Sequence, residues 1–95
     1  MSAPNKPIAR FRLGKIVATP NALSKLSQDD VLRAIQRHQS GDWGDVDAHD
    51  REANDRALIE DTRLFSVYHP AAGPKFWVIT EADRSVTTVL MPEDY

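Results

Sequence analysis

Lys75-Phe76-Trp77-Val78-Ile79-Thr80-Glu81-Ala82-Asp83-Arg84-Ser85-Val86-Thr87-Thr88-Val89-Leu90-Met91-Pro92-Glu93-Asp94-Tyr95 is two apolar ribbons joined by a charged turn. Phe76–Thr80 and Val86–Met91 are rich in β-branched and aromatic residues, which suit a pleated, half-buried surface. Glu81–Ser85 is the turn between them. The run before, Leu64–His69, has the same character, and Pro70-Ala71-Ala72-Gly73-Pro74 separates it with a strong turn signal. Leu64 to Met91 therefore predicts a three-stranded antiparallel meander on which the rest of the chain is hung.

Working back from the meander, the chain reads as helical. Asp47-Ala48-His49-Asp50 starts a helix with an acidic first turn, as the helix dipole prefers, and a narrow stripe of Ala53, Ala57 and Leu58, with Val46 beside it. Ser27-Gln28-Asp29-Asp30 has capping-box spacing and opens a helix over Gln28–Gln39, with Val31, Leu32, Ile35 and His38 on one face. Gly41 is placed to end it. Thr19 as N-cap and Pro20 at the first helical position start a shorter helix, Pro20–Leu26, expected to bury Leu23 and Leu26. Ile8–Ala18 alternates as a strand interrupted at Gly14, where a bulge is expected. The order is strand, two to three helices, then the meander. That implies an α+β domain with the helices packed on one face of a mostly antiparallel sheet, the first strand joining at an edge or in the middle. Met1–Pro7 reads as a frayed tail without the apolar core of a signal peptide, leaving one domain over 8–95.

Composition narrows the function classes. The chain has 95 residues, no cysteine and a net charge of −2. Disulfides and thiolate zinc sites are excluded, which fits a reducing cytoplasm. No apolar run approaches the roughly 20 residues that span a bilayer, so no membrane partner is expected. Charge is uneven: residues 1–40 carry seven basic and two acidic groups, residues 41–60 two basic and seven acidic. The overall basic balance of a nucleic-acid binder is absent, which argues against a nucleic-acid partner. The acidic block, with Asp42, Asp45, Asp47 and Asp50, is either a docking surface for a basic protein or a solvated face.

Ser40-Gly41-Asp42-Trp43-Gly44-Asp45 is the most unusual string. Trp43 is either an aromatic anchor for a partner or a plug in the helix–sheet core. His38, His49 and His69 have no metal-site spacing, and no metal or cofactor is expected. His38 reads as a half-buried residue favoured by the helix end, and His49 and His69 as exposed. In the Glu81–Ser85 turn, Asp83 is expected to cap the turn and Arg84 to pair with a nearby acid. Tyr95 is expected to pack back on the sheet. Ser66, ahead of His69, lacks a third group to orient a base. No phosphate loop, nucleophile elbow or His-Glu-x-x-His pattern is present.

Leu13-Gly14-Lys15-Ile16-Val17-Ala18-Thr19-Pro20, Arg37-His38-Gln39-Ser40-Gly41-Asp42-Trp43-Gly44, Asn54, Phe76–Ser85 and Leu90–Tyr95 together resemble a group of short bacterial proteins carried on plasmids, integrative elements and phages. Some of these are labelled type I restriction enzyme M subunits, although this chain has neither a methyl-donor site nor an amide-and-proline motif. The resemblance implies a mobile-element setting and supplies no active residues. A weaker similarity is to the RelE/ParE toxins, which also place two helices before a curled meander. It implies an mRNA endoribonuclease using Arg63, Tyr68, His69, Lys75, Arg84 and Tyr95 to stabilise charge on phosphate, although the meander half is net acidic and a strand precedes the helices. The leading expectation is a non-enzymatic interaction module that interferes with a host defence or restriction system. Its partner would be a host or element-encoded protein, bound through the acidic block, Trp43 or the open sheet face, with oligomeric state open. The alternative is the toxin. A DNA-binding helix over Gln28–Gln39, with Arg33 and Arg37, lacks a partner helix for a helix-turn-helix.

Overall fold

The meander forms as its alternation predicts. In the computed structural model, which describes residues 8–95, β1 (Lys15–Ala18) is followed by α1 (Pro20–Lys25), α2 (Gln28–Gln39) and α3 (Ala48–Glu60). Then come β2 (Leu64–Tyr68), β3 (Phe76–Thr80), β4 (Val86–Leu90) and a 3-10 turn (Pro92–Asp94). The expected tail lies outside the described residues. β2, β3 and β4 are antiparallel, with Tyr68 opposite Phe76 and Val78 opposite Val89. β1 adds to β4 in parallel, Lys15 opposite Val86, so the sheet is mixed with order β1-β4-β3-β2. The fold is α+β, as read from the sequence.

Alternation puts Leu64, Ser66, Tyr68, Phe76, Val78, Thr80, Thr87 and Val89 on one face. All three helices pack there. Ala22, Ala34 and Ile35 meet Tyr68, Phe76, Val78, Val89 and Met91 in one core cluster. Ala57 meets Leu64 in a second, with Trp43, Val46 and Val67. The opposite face carries Phe65, Val67, Trp77, Ile79 and Leu90. Val67 belongs to the second cluster and Phe65 and Trp77 pack against it at the β2 edge, and no α-helix of the described residues lies across the rest. Each helix begins where its cap predicts: Thr19, Ser27 and Asp47 side chains accept from the amides of Ala22, Asp30 and Asp50.

Four local expectations are corrected. The first strand does not span Ile8–Ala18; it starts after Gly14, whose φ of 65° and close approach to the Arg84–Ser85 backbone leave no room for a Cβ. Before it, Ile8–Leu13 leaves the sheet and runs to the end of α2, where Arg10 N donates to Gln39 O and Gln39 Nε2 to Phe11 O. Leu23 is 68 % exposed, because α1 turns Ala22 into the core and its neighbour, about 100° round, points out. On α2 the buried set is Ala34, Ile35 and His38, and Leu32 is 52 % exposed. On α3 the inward residue is Asn54 with Ala57, and Ala53 is exposed.

Candidate functional site

Trp43 is not a surface anchor. It is 3 % exposed, packs against Phe11 and His38, and donates from Nε1 to Asp55 Oδ1 at 3.1 Å. Gly44 (φ 75°) lets the loop run against β2, where a Cβ would strike the carbonyl of Val67. Two main-chain bonds result: Val67 N to Trp43 O at 3.1 Å, and Asp45 N to Val67 O at 2.8 Å. One residue pair back along β2, Asn54 does the same work with its side chain. Its Oδ1 accepts from Phe65 N at 3.0 Å and its Nδ2 donates to Phe65 O at 2.6 Å. Phe65 and Val67 are the outward-facing residues of β2, so this edge of the sheet is sealed.

Three of the seven acidic groups in the block, Asp42, Asp47 and Asp55, have side-chain bonds within the molecule. Asp42 takes a bidentate pair from Arg37 at 2.7 and 3.1 Å and also accepts from Gly44 N. The Arg37 hydrogen bonds hold its carboxyl below the usual range. Asp47 caps α3 by accepting from Asp50 N at 2.8 Å, and Asp55 holds Trp43. Asp45 and Asp50 of the expected set make no side-chain bond among the described residues; Asp45 is exposed and Asp50 half-buried. Half-exposed pairs such as Arg37–Asp42 are worth about 0–1 kcal/mol each, so the loop is held by main-chain bonds and Trp43 rather than by charge.

His38 is fully buried and lies at the centre of a hydrogen-bonded chain. Its Nδ1 is 2.6 Å from Ser66 Oγ and its Nε2 is 2.9 Å from Thr80 Oγ1. Thr80 Oγ1 is 2.7 Å from Thr87 Oγ1, which donates to Leu13 O at 2.7 Å. That last carbonyl can only accept, so Thr87 spends its proton there and Thr80 must donate to Thr87. Thr80 then accepts from Nε2–H, and Nδ1 accepts from Ser66. The imidazole is neutral, its pKa lowered to about 3, first by burial and then by Arg84. The half-buried residue expected at this helix end is instead a fully buried, uncharged strut. Ser66 does find a histidine at nucleophile–base distance, in His38 rather than His69. Both groups are sealed from solvent and the base resists protonation, so the pair joins α2 to the sheet. The signal available in the sequence was three hydroxyls, Ser66, Thr80 and Thr87, on the core face of three adjacent strands.

Arg84 pairs with no acid among the described residues. Its φ is 61°, and its guanidinium donates to the carbonyls of Thr62 (2.7 Å), Ala57 (2.9 Å), Glu81 and Ala82 (3.1 Å each). It closes the carbonyl end of α3. Asp83 caps the turn as expected, accepting from Ser85 N at 3.0 Å.

The six residues of the toxin-like set divide between the two ends of the meander. Arg63 donates to Tyr95 Oη at 3.2 Å and pairs with Glu81 at 3.1 Å, near Arg84. Tyr68, His69 and Lys75 lie at the other end of β2 and β3, roughly 15 Å away along a five-residue strand. Tyr68 donates to Asp42 O at 2.6 Å and its phenol is pushed up by burial. No group of three His, Cys, Asp or Glu among the described residues is placed to hold a metal. No helix among them is long and apolar enough to cross a membrane.

The helix-free face contains a depression of about 260 Å³ lined by Arg63, Phe65, Trp77, Ile79 and Tyr95. Trp77 is its centre, in edge-to-face contact with Phe65 (5.1 Å) and Tyr95 (5.5 Å). Tyr95 packs back on the sheet as expected and is still 73 % exposed. A second concavity of about 340 Å³ lies between α2 and the Pro70–Ala72 turn, with Arg33, Arg37 and His69 in its wall. Arg37 is already committed there to Asp42 and to the ring of Tyr68, 4.8 Å below it. Compared with family models, with curated proteins and with solved structures, the chain matches none.

Proposed function

We propose that this chain is a protein-interaction module without chemistry of its own, and that its contact surface is the helix-free face of the sheet around Trp77. The observation that supports it is the aromatic depression of Phe65, Trp77 and Tyr95, with Arg63 at the rim. Trp, Tyr and Arg dominate the energetics of protein interfaces, and an apolar patch rimmed by polar groups is the usual form of a contact site. Every other aromatic of the described chain is turned toward the helices or, like Trp43, used to seal the β2 edge. The partner is a host or element-encoded protein. A mobile-element setting and a role against host defence rest on the resemblance of the quoted strings alone.

The endoribonuclease reading keeps one point in its favour, the Arg63–Tyr95 pair, which is short of the constellation that a phosphate would need. Expression in a bacterial host separates the two. An interaction module is tolerated, and it retains a partner from lysate that the Trp77→Arg chain does not retain. Growth arrest relieved by Tyr95 deletion would replace this reading with the toxin.

A further inference from the structure

The two edges of the sheet are finished differently. β2 is closed along its length by Asn54 and by the Trp43–Asp45 main chain. At the other edge, Lys15 N bonds Ser85 O at 2.9 Å and Thr19 N bonds Val89 O at 3.0 Å. These two bonds fix the parity of β1: Lys15, Val17 and Thr19 turn their main-chain groups to β4, and Ile16 and Ala18 turn theirs outward. Among the described residues no loop or side chain bonds the outward groups. The strand contains no proline and no bulge, the devices that blunt an edge. Ile16 is 49 % exposed there.

Charge along this edge runs from positive to negative. Arg12 and Lys15 stand exposed at its start. At its end Thr19 Oγ1 donates to Asp94 Oδ2 at 2.6 Å, and Asn21 Nδ2 bonds Glu93 and Asp94 at 3.1 Å each. Lys25 pairs with Glu93 at 2.8 Å, and Asp94, which accepts from Thr19, Asn21 and Met91 N, has no ion pair among the described residues, so this end has two acidic groups to one basic. A strand with one sign at each end is complementary to itself when reversed.

We infer that β1 pairs antiparallel with β1 of a second copy of this chain, about a two-fold axis through Val17. In that register Ile16 lies opposite Ala18 of the second copy, and their outward N–H and C=O groups make four interchain hydrogen bonds. Lys15 lies opposite Thr19 of the second copy, beside its Asp94. The result is a continuous eight-stranded sheet. Because the axis is perpendicular to the sheet, both Trp77 depressions come to lie on the same side. The contact is one short strand wide, so the association is weak and depends on concentration.

Sedimentation equilibrium of the full chain tests this. The expected mass rises from 10.7 kDa toward twice that value as protein approaches millimolar concentration, and the dimer weakens as salt is added. Amide exchange by NMR needs no variant: Ile16 and Ala18 gain protection with concentration, and Val17 is protected throughout. Ile16→Pro removes one outward N–H and leaves the β1–β4 bonds in place, so it should give a folded monomer; Lys15→Glu should weaken pairing several-fold. A folded chain that stays monomeric at millimolar concentration, with Ile16 and Ala18 exchanging freely, overturns the inference. So does a dimer that survives Ile16→Pro and is lost in Trp77→Arg, which would move the contact to the open face. Failure here leaves partner capture through Trp77 unaffected, because the two surfaces share no residue.

Discussion

The side-chain amide of Asn54 grips the main chain of Phe65, accepting from its N–H at 3.0 Å and donating to its carbonyl at 2.6 Å. An amide has the donor and acceptor of a peptide unit, so one helix residue replaces one residue of an adjacent strand. Asn54→Ala leaves both groups of Phe65 without a protein partner and is expected to cost about 1–3 kcal/mol. Urea titration measures the loss, and light scattering should show new association through the exposed β2 edge. Unchanged stability and scattering would mean that the grip contributes nothing.

A second prediction concerns acid. His38 has a folded-state pKa near 3 against an ordinary value of 6.5, so below pH 6.5 the unfolded chain binds a proton that the folded chain refuses. The stability from keeping His38 neutral is complete above pH 6.5 and is lost as pH falls toward 3, at up to about 1.4 kcal/mol per pH unit. The carboxylates with lowered values, Asp42, Asp83, Glu93 and Asp94, act in the same direction but only near and below their ordinary values of 3.8 to 4.5. The slope between pH 6.5 and 5 therefore belongs to histidine, and His38→Gln should flatten it. Urea midpoints across that range make the comparison, and an equal slope in both chains would refute it.

Gly44→Ala places a methyl against Val67 O in a left-handed backbone. It should destabilise the fold by on the order of 1–3 kcal/mol and release the Trp43–Asp45 cover, visible as faster amide exchange at Asp45 and Val67. A silent substitution would show that the loop can move aside at no cost.

The two tryptophans should behave oppositely. Trp43→Ala empties part of the core beside Phe11 and His38 and should lower stability by about 3–5 kcal/mol. Trp77→Arg lies on the helix-free face and should be much milder in thermal unfolding while abolishing partner retention. Equal losses of stability would place Trp77 in the core.

Much of this architecture was legible in the sequence because it depends on local rules. Period-two alternation of large residues located β2, β3 and β4, and Thr19, Ser27 and Asp47 marked the helix starts. What stayed hidden depends on neighbours distant in sequence. Ile8–Leu13 alternates as well as a strand does, and only the approach of Ser85 to Gly14 decides where pairing begins. Leu23 and Leu32 are apolar and exposed, whereas Asn54 and His38 are polar and buried, because Phe65 and the hydroxyls of Ser66 and Thr80 supply their bonds. In the acidic block, the cap by Asp47, the clamp of Asp42 on Arg37 and the bond of Asp55 to Trp43 are individually local, and their joint effect on the β2 edge is not. The aromatic depression needed Trp77, Phe65 and Tyr95 to be recognised as facing one way, which register alone decides.

The most direct measurement is a titration of isotope-labelled chain with its retained partner, followed by amide shifts. The largest changes should fall on Phe65, Trp77, Ile79 and Tyr95, with Asp42–Asp50 and α2 undisturbed. Changes confined to Asp42–Asp50, or to Arg33 and Arg37 on α2, with Trp77 unmoved, would contradict the account.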